Sequence, residues 1–119
     1  MEQPDKFQEK RKSPRLELSA LVEYRMLRAG TETKKESVLS DISAGGARFM
    51  TKEFLALTAR MVLDITLPLP ERPISAVSKV AWIKKLQEED KYEMGNQFLE
   101  ISRDDKERLA NYLDRMVKV

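Results

Sequence analysis

The residues most suited to chemistry in this chain lie in two short polar segments, the first of which is residues 11–15, RKSPR. Pro14 disfavours a helical conformation for the residue before it, so the segment is predicted to be extended. Arg11 and Arg15 would then have Cα atoms up to about 13 Å apart. A guanidinium group offers a planar fork of donors that matches phosphate oxygens or the O6 and N7 atoms of guanine, and it stacks on bases. The alternative is a solvated basic segment, which is the better interpretation of this segment alone.

The second segment is residues 41–46, DISAGG. The Asp41 carboxylate can accept hydrogen bonds from N1–H and N2–H₂ of guanine, an edge that adenine lacks. Ser43 can contact a base or a phosphate, and Gly46 permits close backbone approach or a positive φ. The alternative is an ordinary turn in which Asp41 bonds its own backbone, and this is the commoner meaning of such a segment. A further glycine, Gly95, lies inside a predicted strand, where it indicates a bulge or a close neighbour.

The composition excludes several function classes. The chain has 119 residues with no cysteine and no histidine. It therefore has no disulfide framework, thiolate metal site, cysteine nucleophile, Ser-His-Asp triad or imidazole base. Catalysis would depend on carboxylates, lysines or an added metal, so a binding module is favoured over an enzyme. The acidic run at residues 88–90 is interpreted as a solvated hairpin loop, and no metal site is predicted.

The formal net charge of +2 is unevenly distributed. Residues 1–15 contain five basic and three acidic side chains, whereas residues 16–119 contain seventeen of each. Neither a secretory signal nor an apolar stretch of the roughly 18 residues needed to span a bilayer is present. The absence of cysteine fits a reducing compartment. We therefore expect a cytoplasmic protein without membrane insertion.

Periodic patterns predict the elements that position these segments. Leu16 to Met26 alternates apolar and polar residues, as a half-buried strand does. Trp82 could stack on a base, but a lone tryptophan on an alternating strand is more often a core residue, so Trp82 is predicted to share the inner face of its strand with Val80 and to lie in the core. Six strands are predicted, at about residues 16–26, 35–41, 47–51, 61–67, 74–86 and 92–101.

A helix is predicted to close the chain over residues 102–118. Ser102 is a suitable N-cap, and Asp104 and Asp105 suit the positive end of the helix dipole. One apolar stripe runs along it, formed by Leu109, Tyr112, Leu113, Met116 and Val117. Short antiparallel strands followed by a packing helix indicate a mainly β fold, a small barrel or curled sheet.

The two polar segments together resemble the R-x-x-x-R and [D/N]-x-S-x-x-G motifs of the PilZ domain family of cyclic di-GMP (c-di-GMP) receptors. The resemblance extends over about residues 10–117. It implies a six-stranded antiparallel PilZ-type β-barrel with a C-terminal α-helix. It also implies that Arg11 and Arg15 bind the phosphates and Hoogsteen edges of c-di-GMP, that Asp41 and Ser43 read a guanine, and that Gly46 leaves room for it.

The chain departs from the family pattern at two places. Lys10 stands where many members have a further arginine, and lysine keeps the charge but lacks the fork, which leaves open whether one or two ligand molecules bind. Residues 57–61 lack the glycine that is common before the fourth strand.

The resulting domain prediction is a flexible tail at residues 1–9 and a PilZ domain at residues 10–119. Within the domain we distinguish a ligand-binding strap (residues 10–15), a barrel (residues 16–101) and the helix. The expected site consists of Lys10, Arg11, Arg15, Asp41, Ser43, Gly46 and Gly95. We expect ligand to order the strap and a protein effector, unidentified from sequence, to recognise the new surface. No cofactor other than the ligand c-di-GMP is predicted.

Three other functions are alternatives to this one. The first is a PilZ-like module that acts by protein–protein contact and binds no nucleotide. The second is a barrel for single-stranded nucleic acid, which requires aromatic side chains beside spread basic residues. The strands are charge-neutral and only 7% of the chain is aromatic, so no nucleic-acid polymer is expected as a partner. An enzyme is the least favoured.

Overall fold

A computed structural model describes residues 15–27, 33–68, 71–87 and 90–117. They form seven antiparallel strands and one helix. The strands are β1 (Leu16–Glu17), β2 (Leu21–Met26), β3 (Lys35–Ser43), β4 (Gly46–Thr51), β5 (Arg60–Thr66), β6 (Ile74–Lys85) and β7 (Tyr92–Ile101), and the helix is α1 (Arg103–Val117).

Six of the strands close into a barrel. The hydrogen-bonded order is β3-β2-β5-β6-β7-β4, and β4 pairs with β3 to complete the ring. The short strand β1 is an addition that pairs with β3 alone. The architecture confirms the predicted six-stranded antiparallel barrel with a C-terminal helix.

The predicted first strand is divided into β1 and β2, both of which pair with β3. Between them the chain keeps contact with β3, because the Ala20 carbonyl accepts the Leu39 N–H at 2.8 Å. The predicted alternation holds through the interruption: Ala20, Val22 and Tyr24 are buried. Strand β1 therefore lies beside the end of β3, where the DISAGG segment begins.

Inward side chains of every barrel strand fill a single core. Because successive residues of a strand point to opposite faces, each strand contributes alternate positions. Tyr24 and Phe49 meet inside it with ring centroids 5.3 Å apart. The largest fully buried side chains are Phe49, Ile42, Met61, Leu63, Ile65, Ile74, Met94 and Leu109.

The ladders of the described residues contain three register shifts. One lies between Leu39 and Asp41 on β3, and the β6–β7 pairing has the other two, between Val77 and Ser78 and between Val80 and Trp82. Such an extra residue shifts the alternation by one position. Val80 is buried whereas Trp82 is 40% exposed, so the prediction that Trp82 lies in the core is wrong.

Helix α1 packs against β6 and β1. Ser102 caps it as predicted, since its Oγ accepts the Asp105 N–H at 3.1 Å. Leu109, Tyr112 and Leu113 are buried, as the apolar stripe predicts. Met116 is 50% exposed, so the prediction that it packs into the core with the rest of the stripe is wrong. In the part of the chain that the structure describes, no helix is long and apolar enough to cross a membrane.

The loop between β4 and β5 contains the position where the expected glycine is missing. Thr58 adopts a φ of 66°, the left-handed conformation that favours glycine. Its N–H donates to the Val80 carbonyl at 2.9 Å, which fixes the loop beside the bulge of β6. The departure from the family pattern thus concerns the conformation of the loop before β5.

Candidate functional site

The centre of the candidate site is Asp41, which is only 5% exposed. Its neighbour Ile42 points into the core, so the Asp41 side chain points to the outer face of the barrel. Two arginines cover it there. Oδ1 accepts a hydrogen bond from Arg15 Nε at 2.9 Å and forms an ion pair with Arg15 Nη2 at 2.9 Å, and Oδ2 lies 2.6 Å from Nη2 of Arg48.

The hairpin between β3 and β4 determines the pairing with Arg48. Ser43 pairs with Gly46 across a turn of two residues, and counting back along the ladder places Asp41 opposite Arg48. Arg15 reaches the same carboxylate from the other side, because β1 pairs Glu17 with Asp41. The two arginines thus come from elements on opposite edges of β3.

Arg48 also contacts a second carboxylate. Its Nη1 lies 3.4 Å from Oε2 of Glu93 on β7, and Glu93 Oε1 lies 3.9 Å from Nζ of Lys84 on β6. The Nε of Arg48 is buried and has no hydrogen-bond partner among the described residues. Positive and negative side chains therefore alternate across β3, β4, β7 and β6, starting from Arg15.

An exposed aromatic ring lies beside this line of charges. Along one row of the sheet Asp41 pairs with Arg48, Arg48 with Gly95 and Gly95 with Trp82. A Cβ atom on Gly95 would lie within 3.0 Å of the Trp82 indole. Gly95 therefore lets the indole lie against the β7 backbone, which is the close neighbour that its sequence position predicts.

The other residues of the DISAGG segment shape the hairpin. Ser43 is buried, and its Oγ accepts the Gly45 N–H at 3.2 Å. A Cβ atom on Gly46 would clash with the backbone carbonyl oxygen of Asn96. The absence of a side chain at Gly46 thus allows strand β4 to lie close to strand β7. The role of Gly46 in leaving room for a ligand stays a prediction.

The structure brings together most of the residues that the sequence singled out. Arg15 and Asp41 are in contact, Ser43 and Gly46 belong to the same hairpin, and Gly95 lies one strand beyond Arg48. The predicted site residues Lys10 and Arg11 lie outside the described residues.

Sequence reasoning missed two neighbours of this site, Arg48 and Glu93, and it assigned a third, Trp82, to the core. The two-residue hairpin turn is a sequence signal from which Arg48 could have been predicted. It fixes the register from the Ser43–Gly46 pair back to Asp41, which places Arg48 opposite Asp41. No comparable count along the sequence leads to Glu93 or Trp82, since a longer loop and a bulge separate their strands.

Comparison with known families decides the classification. A sequence model of the PilZ domain matches residues 9–115. The chain belongs to the PilZ domain family. Among curated proteins no match was found.

Solved structures share the fold of this PilZ domain. The Bacillus subtilis inhibitor of motility, MotI (DgrA), superimposes with a TM-score of 0.74 at 23% identity, over 90% of this chain and 50% of that chain. The K. pneumonia MrkH–c-di-GMP complex gives a TM-score of 0.68 at 25% identity, over 91% and 53% of the respective chains. The PilZ domain of Escherichia coli YcgR with c-di-GMP gives 0.66 at 14% identity, over 91% and 94%. The present chain thus spans about half the length of the MotI and MrkH chains.

Proposed function

We propose that this PilZ domain is a receptor for c-di-GMP that relays ligand binding to a protein partner. The observation that carries the proposal is the pairing of Arg15 with Asp41, because it joins one member of each sequence motif at a single place on the barrel. Membership of the family and the c-di-GMP complexes of MrkH and YcgR support the same ligand.

Each proposed contact follows from the chemistry of its side chain. Arg11 and Arg15 bind phosphate oxygens and the O6 and N7 atoms of guanine through their planar forks, and Lys10 adds a point charge. Asp41 accepts N1–H and N2–H₂ of one guanine, and Ser43 contributes its hydroxyl. Binding and recognition require no catalytic residue, so we assign no reaction to the domain.

Trp82 extends the proposed site across the barrel. Its indole is exposed, lies over Gly95 and occupies the same row as Asp41 and Arg48. A base contacts an aromatic face of this kind by stacking. Gly95 then acts through Trp82 and has no ligand contact of its own.

The proposed relay is a change of order in the strap, residues 10–15. Three of its four cations, Lys10, Arg11 and Lys12, precede Arg15, which reaches Asp41. A dianion that gathers these cations would order the strap and create a surface for an effector. Hydrogen exchange of residues 6–16 should slow when c-di-GMP is added, and unchanged exchange at saturation would contradict the relay.

Calorimetry with matched variants tests the receptor function. We expect wild type and Arg60→Ala, a surface arginine of β5, to bind c-di-GMP equally. Arg15→Ala and Asp41→Ala should each weaken binding by about tenfold or more, the loss that accompanies removal of a charged hydrogen bond. GTP and a single-stranded oligonucleotide serve as ligand controls. Equal binding of the oligonucleotide would instead favour a nucleic-acid function.

One observation favours a second function, a protein-interaction module without nucleotide. Both oxygens of Asp41 already have arginine partners, as in a purely structural ion-pair network. A folded wild-type protein that gives no heat with c-di-GMP would support this alternative.

A further inference from the structure

The hydrogen-bonding capacity of Asp41 limits what can bind there. A carboxylate has about four lone-pair positions, two on each oxygen. In the structure Oδ1 accepts the Nε–H of Arg15 and lies 2.9 Å from Arg15 Nη2 as well, while Oδ2 forms an ion pair with Nη2 of Arg48 at 2.6 Å. A guanine edge needs one position on each oxygen. Two nitrogens of Arg15 occupy the space in front of Oδ1, whereas a single nitrogen of Arg48 lies against Oδ2, so a guanine edge reaches both oxygens only when Arg15 leaves Oδ1.

The surroundings of the two arginines indicate which one leaves. The Arg15 side chain is 44% exposed and precedes β1, a strand that pairs only with β3. Arg48 is in the middle of a strand paired on both sides, its Nε is buried, and it also contacts Glu93 at 3.4 Å. Moving Arg48 would break contacts with two carboxylates, whereas moving Arg15 breaks contacts with one carboxylate and frees Oδ1.

We infer that Arg48 is a positioning and specificity-determining residue, which holds the Asp41 carboxylate in place while a guanine replaces Arg15 on Oδ1. Arg15 moves from the carboxylate to a ligand phosphate, so ligand binding exchanges one ion pair for another. The inference rests on the proposed function and adds to it the assignment of a permanent and an exchangeable partner to Asp41.

The inference gives Arg48 an effect on base selectivity that a merely structural residue lacks. Lysine in its place retains the charge but lacks the fork that contacts Asp41 and Glu93 together. In Arg48→Lys the carboxylate would turn away from the orientation that receives both N1–H and N2–H₂ of guanine. The variant should lose discrimination for the 2-amino group as well as some affinity.

Two ligands that differ only in that group measure the effect. Cyclic di-inosine monophosphate lacks the 2-amino group of each base and keeps N1–H. We expect wild type and the surface control Arg60→Lys to bind c-di-GMP about tenfold more tightly than the inosine analogue, the equivalent of one charged hydrogen bond. In Arg48→Lys and Arg48→Gln the ratio should fall to about twofold or less.

Arginine Nε–H resonances of the wild-type protein provide a second measurement that requires no variant to fold well. They are assigned from the signals missing in Arg15→Lys and Arg48→Lys. Saturation with c-di-GMP should move the Arg15 signal to a new position and leave the Arg48 signal protected from solvent exchange.

The outcomes separate this inference from the proposed function. Binding of c-di-GMP by wild type with an unchanged ligand ratio in both Arg48 variants, or with an unmoved Arg15 signal, would overturn the inference alone. Failure of wild type to bind c-di-GMP would overturn the proposed function and the inference with it.

Discussion

Two glycines next to the site have different neighbours, and their replacement should have different consequences. A Cβ at position 46 would meet the Asn96 carbonyl, which is part of the β7 backbone, whereas a Cβ at position 95 would meet the Trp82 indole. Backbone cannot yield without breaking the β4–β7 ladder, but a partly exposed side chain can move. We expect Gly46→Ala to lower the free energy of unfolding by about 3 kcal/mol and Gly95→Ala by about 1 kcal/mol.

Urea denaturation measures the loss of stability in both variants, and tryptophan fluorescence reports the environment of the Trp82 indole. Trp82 is the single tryptophan of the chain, so a red-shifted emission in Gly95→Ala would report its displacement. Gly45→Ala is the matched control, because nothing lies within 4 Å of the added Cβ. Equal stabilities of the variants at positions 45 and 46 would contradict the packing argument.

The backbone of Thr58 is strained, since a β-branched residue at a φ of 66° crowds its own carbonyl. Thr58→Gly should remove the strain and raise the free energy of unfolding by about 0.5–1 kcal/mol, after the greater freedom of glycine in the unfolded chain is subtracted. Thr58→Ala keeps a Cβ and should not give this gain. A gain in the alanine variant equal to that of glycine, measured in urea, would show that strain is not the cause.

At the scale of elements, Asp105 fixes α1 to the barrel. It is buried, and it accepts the Ser75 N–H at 3.1 Å and Arg72 and Arg108 nitrogens at 2.7 and 2.9 Å. Burial alone would raise the pKa of Asp105, but these hydrogen bonds outweigh it and hold the pKa below its ordinary value. The sequence pattern assigned Asp105 only to the helix dipole, whereas the structure makes it the link between α1 and the start of β6.

Replacement of Asp105 should therefore weaken the fold in a pH-dependent way. Asp105→Asn is expected to lower the free energy of unfolding at pH 7 by about 2–3 kcal/mol, because the two guanidinium groups lose a buried anion. The folded pKa lies below the unfolded value, so the stabilisation is present above about pH 4 and is lost as the pH falls toward the folded pKa. The difference in the free energy of unfolding between wild type and Asp105→Asn should thus become smaller at acidic pH.

Urea titrations from pH 7 to pH 3 measure this gap. Asp104→Asn is the matched control, since Asp104 is an exposed neighbour that pairs with Arg72 at the surface. Its effect should stay below about 0.5 kcal/mol. A gap for Asp105→Asn that remained constant with pH would be inconsistent with a lowered pKa.

Local sequence patterns predicted most of the strands and the helix. They did not predict the contacts that depend on register shifts between strands. Alternation located β2 and the buried Val22, and the apolar stripe located the buried face of α1. The bulge that turns Trp82 outward depends on how β6 fits β7 over the whole barrel, and strand periodicity does not record such a fit. The motif predicted Asp41 as a site residue, whereas finding its two arginine partners required the register of β1, β3 and β4.

At the scale of the whole molecule, the proposed site divides between the barrel and the residues that precede it in the sequence. Asp41, Ser43, Arg48 and Trp82 belong to strands whose pairings close the barrel. The charge balance divides in the same way, because residues 16–119 are neutral in sum and the excess of positive charge lies in residues 1–15. The proposed receptor therefore combines a neutral barrel that reads a guanine with a cationic strap that neutralises the phosphates.

This division predicts that fold and ligand affinity can be separated by truncation. A chain that begins at Arg15 retains strands β1 to β7, α1 and the Arg15–Asp41 pair. Its free energy of unfolding should stay within about 1 kcal/mol of the full chain, because the ladders and core that stabilise the barrel are retained. It lacks Lys10 and Arg11, however, and should bind c-di-GMP about a hundredfold more weakly, the equivalent of two charged contacts.

The triple variant Lys10→Ala/Arg11→Ala/Lys12→Ala in the full chain is the control for chain length. It should lose the same affinity by calorimetry and keep the stability of wild type in urea, because it removes the same three strap cations that truncation removes and leaves the rest of the strap. Truncation that abolished folding would mean that residues 1–14 contribute to the barrel itself. A truncated chain that still bound c-di-GMP as tightly as wild type would place the phosphate contacts on the barrel, with Arg48 as the first cation to examine.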